Sequence, residues 1–138
     1  MKRLLSFTVV LFATVACDVV STEYRTLSEA RNDGLFERGW LPDILPLSTH
    51  AIHVANNLDL NTSEGSFRFS SDDFQGFRER LIETSSSSLG QFSGSRSALD
   101  RMESEGYPLL QYSASLSTWL FSCAQEQGTC EYVMGYRR

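Results

Sequence analysis

Lysine occurs once in the 138 residues, at Lys2, and histidine only twice, at His50 and His53. A chain so poor in basic clusters is a weak ligand for phosphate backbones or anionic lipid, which excludes nucleic-acid binding as an expected role. There are three cysteines and three prolines. The apolar run near the start, Leu4 to Ala16, has 13 residues, whereas a membrane-spanning helix needs about 20. Phosphate loops, dinucleotide fingerprints, calcium loops and Gly-x-Ser-x-Gly elbows are all missing. The expectation is therefore a non-catalytic protein with no cofactor.

What is present begins with that run. Met1-Lys2-Arg3 is a short positive start, and "LFATVACDVV" closes the apolar stretch at Cys17. A basic start, an apolar middle and a small residue at the end are the parts of a secretory signal peptide, here residues 1–16. A buried core helix is the plainer reading, but Lys2-Arg3 in front and Cys17-Asp18 behind fit export better. "TVAC" resembles the bacterial lipobox, although Thr14 stands where Leu, Val or Ile is usual. The resemblance implies diacylglycerol on the Cys17 sulfur, with Cys17 as the first mature residue. The bilayer would then be a partner through acylated Cys17, and the domain would sit at the bacterial envelope, facing the periplasm or the exterior. In enterobacterial lipoproteins an aspartate in the position of Asp18 points to the inner membrane.

Cysteine arithmetic agrees. With lipid on Cys17, Cys123 and Cys130 remain as an even pair, and an oxidising envelope lets them join. From Cys17 onward the chain holds 10 arginines against 17 acidic side chains, a formal charge of -7. Its 122 residues suffice for one domain with a core, and not for two.

Residues 17–25 read as a lipidated tether and 26–138 as a single globular domain. Thr26-Leu27-Ser28-Glu29 has capping-box form and predicts a short helix ending near Gly34. In "GLFERGWLPDILPLS" the prolines Pro42 and Pro46 forbid a regular helix, yet the stretch is apolar. It predicts an extended lid across a core, with an exposed surface of Trp40, Pro42 and Pro46 as the functional alternative. Ser48 as N-cap, stapled by Leu47 and Ile52, predicts a helix over Thr49 to Asn56. His50 and His53 would share its solvent face and be weak metal candidates, because zinc wants a third or fourth ligand.

Leu58 and Leu60, then Phe67 and Phe69, alternate with polar residues and predict a hairpin around the loop 62–65. Ser71-Asp72-Asp73 opens an amphipathic stripe of Phe74, Phe77, Leu81 and Ile82, a helix to about Glu83. Residues 84–97 form a Ser/Gly-rich loop, followed by a short helix from Ala98 to Ser104. The tail alternates throughout. Setting Cys123 opposite Cys130 sets Phe121 opposite Tyr132 and Trp119 opposite Met134, and every large residue falls on one face. That register predicts a Cys123–Cys130 disulfide across a C-terminal hairpin.

The segments "TLSEARNDG", "RGWLPDILPLSTHAI" and "LDLNTSEGSFRF" resemble a functionally uncharacterised group of small bacterial exported proteins and lipoproteins. These share a Gly-Trp-hydrophobic-Pro segment, a second proline, a capped short helix and an Asn-ending strand. The likeness covers roughly Thr26 to Phe69 and carries no catalytic residues over. The expected architecture is a small α+β, two-layer domain: an antiparallel sheet with short helices packed on one face and a C-terminal hairpin. The expected role is an interaction or structural module of the envelope, with a protein partner there. The alternative is a periplasmic inhibitor or immunity protein that binds a toxin or hydrolase.

Overall fold

A computed structural model describes residues 18–85 and 90–136. Cys17 and the leader lie outside the described residues. Seven strands form one antiparallel sheet in the order β1-β2-β3-β7-β6-β5-β4. The strands are β1 (Val19–Thr26), β2 (His50–Asn57), β3 (Thr62–Arg68), β4 (Ile82–Thr84), β5 (Leu109–Ala114), β6 (Ser117–Ala124) and β7 (Thr129–Tyr136). The helices are α1 (Leu27–Asn32), α2 (Phe74–Arg78) and α3 (Arg96–Ser104), with 3-10 turns at Ser71–Asp73 and Gly90–Ser95. The chain is thus a small α+β domain, mostly β.

The C-terminal half follows its alternation. Cys123 faces Cys130, Phe121 faces Tyr132 and Trp119 faces Met134. The disulfide joins Cys123 to Cys130 across β6 and β7, with Cα atoms 4.1 Å apart. Phe121 is fully buried and meets Phe77 and Phe67 edge-to-face at centroid distances of 5.2 and 6.1 Å, a geometry that suits the ring quadrupoles. β7 also pairs with β3, which closes the sheet across 69 residues of sequence between Ser63 and Tyr132, whose hydroxyls lie 3.0 Å apart. Gly65 makes that seam close: a Cβ there would stand 1.9 Å from the His53 carbonyl oxygen and 3.0 Å from the Tyr132 ring.

α1 starts where the capping pattern places it. Thr26 Oγ1 accepts from the Glu29 amide at 3.2 Å. The Glu29 carboxylate reaches back to the Arg25 amide at 2.7 Å and to its guanidinium at 2.9 Å. Those bonds, the amide's foremost, hold the Glu29 carboxyl below the usual carboxylate range. The segment 33–49 is an irregular lid. Its own Leu35, Leu41, Ile44 and Leu45 are buried, and the Trp119 indole donates to the Trp40 carbonyl at 3.1 Å.

Several sequence expectations differ from the structure. Thr49 to Asn56 is not a helix, because residues 50–57 are strand β2, burying Ile52, Val54 and Asn56. A left-handed Ala51 (φ 47°) and a register shift between His50 and His53 break the period-2 pattern at its start, which hid the strand. Ser48 is no helix cap; its hydroxyl bonds Asp73 and accepts from the Ser70 amide. The hairpin is displaced, so that Leu58 and Leu60 sit exposed in the β2–β3 turn instead of in a strand. Residues 19–25 belong to edge strand β1 and are not a tether.

The helix expected to reach Glu83 stops at Arg78, and Ile82 is exposed in β4. Last, the sheet has cover on both faces. α1, the lid and α2 pack on one. On the other, α3 and the Gly90–Ser95 turn build a second core of Phe92, Leu99, Met102, Leu109, Leu120 and Val133. Phe92, fully buried, ties the 90–95 part of the stretch read as a polar loop to this second core.

Candidate functional site

α3 covers only part of its face. Beyond it the register brings five polar side chains into one row across neighbouring strands. Glu23 of β1 pairs with His53 of β2, His53 with Ser66 of β3, Ser66 with Glu131 of β7, and Glu131 with Ser122 of β6. At about 4.8 Å per strand the row runs about 19 Å. Two hollows lie along it, of about 630 and 550 Å³, and they share His53, Ser66 and Glu131. Arg68, Glu105 and Tyr107 bound the first; Glu64 and Arg101 help bound the second.

Two side-chain contacts tie the groove together. The His53 Nδ1 lies 3.2 Å from Glu23 Oε1, and Arg101 Nε donates to Glu131 Oε2 at 3.2 Å. Both pairs are largely in water and add little to stability. The Ser122 hydroxyl is different: it is buried on the groove's face and is unpartnered among the described residues. A buried hydroxyl normally finds a partner.

Carboxylate, imidazole and hydroxyl stand in sequence across β1, β2 and β3. A hydrolytic relay needs the imidazole bonded to the hydroxyl, and its carboxylate buried. Here the Glu23 side chain is 80% exposed, and among the described residues no hydrogen bond joins His53 to Ser66. The arrangement can present donors and acceptors to a surface; it does not prime Ser66 as a nucleophile.

The other residues singled out by sequence are dispersed. His50 is exposed, with its Nδ1 2.9 Å from the Ser48 carbonyl, and it shares no ligand set with His53: among the described residues no group of three His, Cys, Asp or Glu is placed to hold a metal. Pro42 and Pro46 are buried and Trp40 is half-buried, so these three form no exposed patch; they hold the lid. The groove itself escaped sequence reasoning. Its members lie on five strands, and only the β1–β2–β3–β7 pairings, which no local pattern announces, bring them together.

The titrating groups shifted outside the groove include Tyr132 and Asp59. Burial pushes the Tyr132 phenol far above its ordinary range, with the Ser63 hydroxyl opposing in part. Asp59, in the β2–β3 turn, is raised by the Asp18 carboxylate beside it.

The fold and groove define a small antiparallel α+β domain with one half-open sheet face. Residues 18–68 match the family model of the YbbD head domain. That segment comprises β1, α1, the lid, β2 and β3, somewhat over a third of the chain, and its likeness is to a small bacterial family. Neither the curated proteins nor the solved structures offer a match.

Proposed function

We propose that this chain is a lipid-anchored protein of the bacterial envelope whose domain is a non-catalytic interaction module, binding a protein partner through the open half of its sheet. The supporting observation is the row Glu23–His53–Ser66–Glu131, an ordered strip of exposed and half-buried polar side chains that runs up to the buried Ser122. A partner that laid its own polar groups along the strip would meet the Glu23, His53, Ser66 and Glu131 side chains. Lipid on Cys17 rests on the signal-like run ending in "TVAC", and two or more acyl chains are what stable anchoring takes.

A second reading, an inhibitor or immunity protein against a toxin or hydrolase, uses the same strip. The charge of -7 from Cys17 onward favours it, because an acidic surface steers a basic partner.

Labelled palmitate fed to cells should enter the protein, and Cys17→Ser should abolish the label; an unlabelled protein that washes off membranes contradicts the anchor. For the strip, the full chain should retain one stoichiometric envelope protein, and Ser66→Arg should lose it with an unchanged melting curve. Equal retention by Ser66→Arg places the interface elsewhere. A basic hydrolase or toxin as the retained protein selects the second reading.

A further inference from the structure

Nine large apolar side chains are exposed among the described residues, and six of them stand at one end of the sheet: Val19, Val20, Leu58, Leu60, Leu116 and Tyr136. Register makes this a common end. Val19 opposes Asn57 at the end of β2, Leu58 and Leu60 are in the β2–β3 turn, Tyr136 opposes Ser117, and Leu116 is in the β5–β6 turn. Single exposed apolar residues are ordinary, but a cluster at one edge of a domain marks a contact.

We infer that this end of the sheet rests on the phospholipid bilayer, with the six apolar side chains set into the headgroup boundary. The inference rests on the anchor reading above and deepens it. The chain enters the domain at this end, directly after the uncharged run and Cys17. The Asp18 carbonyl is already engaged, accepting from the Leu58 amide at 3.1 Å, and β1 begins at Val19. Two residues reach at most about 7 Å. A lipid on Cys17 therefore has no tether to hold the domain away from the membrane, and the end that touches must be this one.

Among the described residues Asp18 and Asp59 lie side by side at this end, and a zwitterionic headgroup carries no net charge for them to repel. Interfacial elements settle about 5–10 Å into that zone, deep enough for Leu58 and Leu60 and too shallow for the opposite end. Leu47, exposed just before β2, is separated from the rim by the eight residues of that strand, about 26 Å.

The test uses the full chain on phosphatidylcholine vesicles. It is held by the acyl chains acquired in cells or, where palmitate labelling shows none, by coupling Cys17 to a maleimide lipid. Failure of natural lipidation and failure of the rim are then separate results. Leu60→Trp, Leu116→Trp and Leu47→Trp are compared after subtracting the wild-type tryptophan signal, with a nitroxide lipid labelled near the headgroup end as quencher. Quenching by about two-fold at positions 60 and 116 with none at 47 is expected from the interfacial depth. No quenching at 60 and 116, or equal quenching at all three, overturns the inference. So does a blue shift at position 60 that depends on protein concentration and needs no vesicles, which would assign the rim to a second copy of the chain.

Discussion

The two faces of this sheet are built from the same strands and finished differently. On one, the lid, α1 and α2 close over interlocked aromatic rings, with Phe67 and Phe121 at most 1% exposed. On the other, α3 and the Gly90–Ser95 turn with Phe92 cover parts of β5, β6 and β7 and reach the start of β3. Along the strip Glu23 and His53 are left in water, and Ser66 and Glu131 are half-buried. Where one strand must serve both faces, side chains on the closed face carry stability and those on the open face are free to carry recognition.

Substitutions that separate the faces should differ in size accordingly. Phe121→Ala, in the closed core, should cost about 3–5 kcal/mol in denaturant unfolding. Leu120→Ala, its neighbour in β6 pointing to the smaller core, should cost about 2–5 kcal/mol; a value near zero would mean that α3 adds cover without stability. Replacing both Cys123 and Cys130 by Ala should cost about 2.5 kcal/mol, because the closed loop is short. Trp40→Ala should cost less than a core aromatic, about 1–2 kcal/mol, since the ring is half-buried and the bond to Trp119 is made by the backbone. His53→Ala, on the open strip, should change stability by under about 0.5 kcal/mol.

Alkali sharpens the same contrast. The folded Tyr132 phenol titrates above its unfolded value of about 10, and Tyr24, raised by burial and its bond to Asp33, shifts the same way. Folded protein holds these protons longer than unfolded protein, so their contribution is complete below about pH 10 and declines as pH rises toward the folded values. Tyr132→Phe should flatten the alkaline fall in a pH series of unfolding curves. An unchanged slope would mean that the phenol is not sealed in the closed core.

Legibility followed locality. β5, β6 and β7 alternate cleanly and join through short turns, so register, disulfide and paired residues could all be read from residues 109–136. The cap of α1 is equally local. β2 was misread because Ala51 interrupts its alternation, and because Ser48 and Leu47 mimic a helix start while serving other ends. β1 looked like a tether because its one buried residue, Tyr24, leaves no apolar stripe. The groove depends on β3 pairing with β7, a contact between distant segments that neither segment encodes alone. His53 was visible as a residue; its neighbours Glu23, Ser66 and Glu131 were not visible as neighbours.

The central claim is that the uncovered strip, and not the lid, meets the partner. A photo-crosslinking amino acid placed at Ser66 in living cells tests it most directly, with the same group at Leu47 as the exposed comparison near the lid. The account predicts one discrete crosslinked envelope protein from position 66 and none from position 47. Crosslinking from position 47 with none from position 66 would contradict it and return the lid as the binding surface.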